Sequence, residues 1–114
     1  MGKRIEKINS LIKRELSKII EKEIEFPKNA LVTLTRVITG EDLKETKVFF
    51  SCYPEEKFDE VLKILENEVH FIQRILNRKL FIKKVPKIKF AKEEKVLEAA
   101  RIEEILEKLK KEKK

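Results

Sequence analysis

The chain has 114 residues, 41% of them hydrophobic and 43% charged, with a net charge of +7. That is enough apolar material for one core and too little chain for several domains. The single cysteine, Cys52, excludes an intramolecular disulfide, and no apolar run reaches the roughly 18 residues a membrane span needs. With one His and one Cys no structural metal cluster can form. No metal or cofactor is expected. MGKRIEKINS has no hydrophobic signal stretch, so a soluble cytoplasmic protein is expected.

Residues 3 to 24 read as an amphipathic helix, because Ile5, Ile8, Ile12, Leu16, Ile19, Ile20 and Ile24 recur at spacings of three and four. Lys3, Lys7, Arg14 and Lys18 form a stripe roughly opposite that apolar face. They are the second-tier candidates for a basic surface, diluted by Glu15 and Glu21. Pro27 and Asn29 end the helix. ALVTLTRVIT, residues 30 to 39, is rich in β-branched residues and predicts a strand. Neither of its alternating faces is cleanly apolar, which predicts a central strand buried on both sides. GEDLKE is the turn, and TKVFFSCY, residues 46 to 53, a second strand. Val48, Phe50 and Cys52 face one way; Lys47, Phe49, Ser51 and Tyr53 face the other. Aromatics beside a lysine can stack on bases, but packing is the favoured role here.

Pro54 opens the next helix, with Glu55, Glu56 and Asp59 suiting its dipole. The apolar positions from Phe58 through Leu65 and Ile72 to Leu76 stay in one helical phase, so periodicity predicts a straight helix to about Arg78. A third strand is expected over Lys83 to Phe90. Pro86 lacks an amide donor, which places that strand at an edge or makes it start late. Glu93 to Lys110 reads as a final helix. The order read from the residues is α-β-β-α-β-α, an α+β domain with a three-stranded sheet and helices on one face. Residues 1 to 92 form its body, and residues 93 to 114 a terminal amphipathic helix and charged tail of the same domain.

The charge is unevenly spread. Phe71 to Lys92 holds eight basic residues and no acidic one. Of the chain's 28 basic residues the other 20 face all 21 acidic ones, so the whole excess sits in this stretch. A concentrated single-sign region attracts polyanions, whereas a merely solvated face is served by mixed signs. Arg74, Arg78, Lys79, Lys83, Lys84, Lys87 and Lys89 are therefore the candidates for meeting nucleic-acid phosphates. No P-loop, dinucleotide fingerprint or nucleophile elbow occurs, and His70 has no second ligand beside it. A non-enzymatic binding protein is expected. The competing class is a protein-interaction module that docks its terminal helix and basic strand on an acidic partner.

With these elements placed, the sequence resembles the ribosome-binding factor A family. KRIEKINSLIKRELSKIIEKEI resembles the family's opening helix, and LVTLTRVITGEDLKETKVFFS its strand–turn–strand signature, including Thr35 to Val37. FIQRILNRKLFIKKVPKIKF resembles its second half, with Val85-Pro86 and Phe90 in place, and RIEEILEKL its closing motif. The resemblance implies a KH type II-like fold, α-β-β-α-α-β. It also implies a factor, expected as a monomer, that binds the immature small ribosomal subunit and its rRNA, assists late rRNA maturation and has no enzymatic activity. The usual GxxG clamp of KH domains is missing, because only Gly2 and Gly40 exist. Where the family has an Ala-x-Gly kink between two helices, this chain has Glu68, Val69 and His70. The implied fold requires a bend near Asn67 to His70, against the unbroken apolar phase.

Overall fold

The structure, a computed structural model, describes residues 2 to 93. Its elements are α1 (Gly2–Glu23), β1 (Leu31–Thr39), β2 (Glu45–Tyr53), a 3-10 turn (Glu55–Lys57), α2 (Phe58–Asn67), α3 (Val69–Lys79) and β3 (Lys87–Lys92). This is the KH type II-like α-β-β-α-α-β order. Strand order in the sheet is β1-β2-β3, with β1 antiparallel and β3 parallel to β2. The helices pack on one face of the sheet, α1 against β1 and α2 against β2 and β3. The core they enclose is apolar: Ile12, Leu16, Val48, Val61, Leu65, Ile72 and Leu76 are completely buried. Phe50 lies at its centre, stacked on Phe58 at 4.8 Å and edge-on to Phe90 at 6.3 Å.

Three expectations are corrected. β1 is an edge strand, and β2 is the central one. The mixed pattern of β1 comes from a β-bulge. Leu34 pairs with Phe50 and Arg36 with Phe49, so Thr35 is the extra residue. A bulge shifts the side-chain phase by one. Leu34 faces the helices before it, and Val37 and Thr39 after it. The bulge also turns Thr35 and Arg36 together toward Glu93. The Thr35 hydroxyl donates to Glu93 Oε1 at 2.6 Å, and Arg36 Nε donates to both carboxylate oxygens at 2.9 and 3.2 Å. The Glu93 amide donates to the Phe50 carbonyl at 3.0 Å. The chain leaving β3 is thus tied across β2 to β1.

The second correction concerns the straight helix that periodicity predicted; the bend that the family resemblance required near Asn67 to His70 is present. The helix breaks at Glu68, between α2 and α3. Glu68 has φ −99° and ψ 5°, and its own carbonyl accepts from Ile72 as helix resumes. A negative φ is open to any L-residue, so the bend needs no glycine. With a single residue leaving helical geometry, Phe58, Val61 and Leu65 stay in register with Ile72 and Leu76, and all five are buried. Periodicity could not detect the break.

Third, β3 begins at Lys87, four residues later than expected, and runs to Lys92. Lys87 lies opposite Glu45, the first residue of β2, so residues 83 to 86 have no strand to pair with. Pro86 is buried just before the ladder starts. β3 is an edge strand and starts only after Pro86, so both outcomes that the proline allowed are met. Glu93, the expected start of the terminal helix, is irregular chain, and the rest of that helix lies outside the described residues.

Candidate nucleic-acid interface

On α3 the buried residues are Ile72 and Leu76. At about 100° per residue Arg74 and Arg78 lie on the opposite side, away from the sheet, and both are exposed. Lys79 sits at the α1 side, where it lines a shallow groove with Lys18, Glu15 and Glu23. Gln73 faces β3. Its amide donates to the Pro86 carbonyl at 3.1 Å, and its oxygen accepts from the Ile88 amide at 2.9 Å. The Lys87 amide donates to the Lys44 carbonyl at 3.0 Å. These bonds tie α3 and the β1–β2 turn to the start of β3.

The segment joining α3 to β3 crosses the end of the sheet where β2 and β3 begin. There Lys83 and Lys84 meet Arg4 and Lys7 of α1 around a cleft of about 460 Å³. Its apolar lining is Ile8, Leu11, Leu43 and Ile82. Two features hold the walls. Thr39 donates to Asn9 of α1 at 2.5 Å, and its oxygen lies 2.8 Å from the hydroxyl of buried Thr46. In the β1–β2 turn the Leu43 amide donates to the Gly40 carbonyl at 2.9 Å, and the Lys44 amide to Asp42 Oδ1 at 3.1 Å. Leu43 has φ 59°, a left-handed conformation unusual for a leucine.

Lys87 and Lys89 alternate with buried Ile88 and Phe90, so they point to the sheet face without helices. Lys47 is the cross-strand neighbour of Lys89 and is exposed beside it. On the same face Phe49 is half-buried beneath Arg36, whose guanidinium carbon is 4.1 Å from the ring centroid. Its packing role therefore holds, whereas Tyr53 is 73% exposed and packs on little.

The seven first-tier residues do not share one flat face. They form a band from the outer side of α3, around the end of the sheet, to its open face. All seven are exposed, and none is ion-paired among the described residues. Lys92, the eighth cation of the stretch, instead sits over the Phe58 ring at 5.2 Å. Of the second tier, Lys7 joins the cleft and Lys18 the groove beside Lys79. Lys3 and Arg14 lie along the outer side of α1, with Arg14 paired to Glu15 at 3.2 Å. Sequence reasoning missed Arg4, Lys47 and Gln73. Lys47 carried a signal in its strand alternation; Arg4 and Gln73 carried none, since their roles depend on tertiary placement. Among the described residues no helix is long and apolar enough to cross a membrane.

The sequence pattern of the family described as Ribosome-binding factor A matches residues 4 to 106. The chain belongs to the ribosome-binding factor A family. Ribosome-binding factor A of Halothermothrix orenii is 32% identical over 110 residues, covering 96% of this chain and 90% of the relative. That of Chlamydia felis is 34% identical over 111 residues, covering 95% and 92%. The crystal structure of ribosome-binding factor A from Thermus thermophilus is similar in fold, with a TM-score of 0.68 at 19% identity, over 77% of this chain and 94% of that one. A Thermus thermophilus homology model fitted into the cryo-EM map of a 30S complex has a TM-score of 0.62 at 23% identity, over 73% and 88%.

Proposed function

We propose that this protein is a ribosome assembly factor that binds the immature small ribosomal subunit through rRNA phosphates and assists late small-subunit rRNA maturation. One observation carries the reading: a stretch with eight cations and no acid folds into a band whose Arg74, Arg78, Lys79, Lys83, Lys84, Lys87 and Lys89 are exposed and unpaired among the described residues. Unpaired cations spread over a curved surface hold a folded polyanion in position without reading its sequence. Shape then supplies specificity, as it does for structured RNA. Membership of the family supports the choice of RNA, as does the 30S complex of the Thermus thermophilus relative. The protein acts as a cytoplasmic monomer without cofactor or catalytic step.

Sucrose-gradient sedimentation of cell extract tests this. The protein is expected with free small subunits, absent from mature ribosomes, and released by ribonuclease. Association that survives complete digestion of the RNA would overturn the reading in favour of a protein-docking module.

A further inference from the structure

The cleft at the end of the sheet has a composition that phosphate binding alone does not require. Phosphates need only cations, yet here four cations rim an apolar floor made by Ile8, Leu11, Leu43 and Ile82. Among the described residues Asp42 provides the single carboxylate of the lining, and its Oδ1 accepts the Lys44 amide. Arg4 and Lys7 stand near the start of α1, whose first turn has no acidic residue. A helix N-terminus and two cations together favour an anion there. The residue before Ile82 is Phe81, which is 98% exposed. A phenylalanine left wholly in water contributes nothing to this core, so its ring is available to a partner.

Resting on the RNA reading above, we propose that this cleft receives one unpaired nucleotide. Its base lies on the apolar floor, its flanking phosphates meet Arg4, Lys7, Lys83 and Lys84, and Phe81 stacks on a neighbouring base. The volume of about 460 Å³ falls within the usual range for a small-molecule pocket. Charge selects the class of occupant. A protein partner would have to bring carboxylates as well as an apolar side chain to answer the four rim cations, whereas the RNA reading above already supplies phosphates. Duplex RNA would satisfy the cations but offers no free base face to the floor or to Phe81. A single-stranded segment satisfies both. Sequence preference is weak, because every base has a stacking face.

The test uses the full chain, a single-stranded RNA hexamer carrying 2-aminopurine, and a blunt RNA duplex with the same number of phosphates. The hexamer is expected to bind more tightly than the duplex, with the fluorescence quenched on stacking. Phe81→Ala, a change at a solvent-exposed position that leaves the core intact, lowers hexamer affinity about ten-fold, the usual size of one base–aromatic stack, and leaves duplex affinity unchanged. Lys83→Glu with Lys84→Glu lowers both. Wild-type affinity for the hexamer in Phe81→Ala, or equal losses on hexamer and duplex, overturns the proposal while wild-type protein still sediments with small subunits. Failure to bind either RNA or the small subunit overturns the broader reading with it.

Discussion

Replacing Glu93 tests the tie that holds the end of β3 to β1. The carboxylate is completely buried, and the Arg36 side chain is 26% exposed. Glu93→Ala leaves the guanidinium largely buried without its counter-charge. Breaking such a pair costs about 3–5 kcal/mol. Two features favour the lower end: water reaches part of Arg36, and the Thr35 hydroxyl, losing its 2.6 Å bond, can turn to the Phe49 carbonyl 3.2 Å away. The expected loss is about 3 kcal/mol. Glu93→Gln keeps an acceptor of the same shape and loses the charge, which costs about 1–1.5 kcal/mol, the difference between charged and neutral hydrogen bonds. With a urea m-value of about 1.5 kcal/mol/M for a domain of this size, the alanine variant unfolds at roughly 2 M less urea. Arg36→Met and the double variant complete a double-mutant cycle. A cycle with no coupling, or an alanine variant within about 0.5 kcal/mol of wild type, refutes the reasoning.

Two further outcomes are expected. Gln73→Leu removes the partners of the Pro86 carbonyl and the Ile88 amide; it costs about 1–3 kcal/mol, and unchanged protection of the Ile88 amide in hydrogen exchange would contradict this clamp. Burial raises the pKa of the Cys52 thiol, an effect Lys57 only partly offsets. At pH 8 less thiolate is therefore present than for a free cysteine, so alkylation by iodoacetamide is slow until urea exposes the thiol. Alkylation as fast in the folded protein as in urea would contradict that burial.

Much of the fold was legible because its signals are local. The first helix follows from isoleucine spacing, and β2 from a clean alternation that ends with Val48 and Phe50 in the core. What could not be read was each place where one residue changes phase. Thr35 adds a residue to β1, and no local pattern marks whether such a strand is bulged or central. Glu68 turns without glycine and without disturbing the apolar register. The start of β3 depends on where β2 begins, far back in the chain, because Lys87 lies opposite Glu45. The basic stretch was visible as composition, but its wrapping around the sheet end was not. Whether a cation faces solvent from α3, the cleft or the open sheet face is settled by Gln73 and the β3 register, neither of which sequence spacing reveals.

The central claim is that the band meets RNA phosphates. Equilibrium binding to purified small subunits over a series of salt concentrations, for wild type and for Lys84→Glu with Lys87→Glu, tests it most directly. The account predicts weaker binding by the folded double variant, with a plot of log affinity against log salt shallower by about 0.7–0.9 for each phosphate no longer neutralised. Equal affinity at moderate salt with an unchanged slope would contradict it.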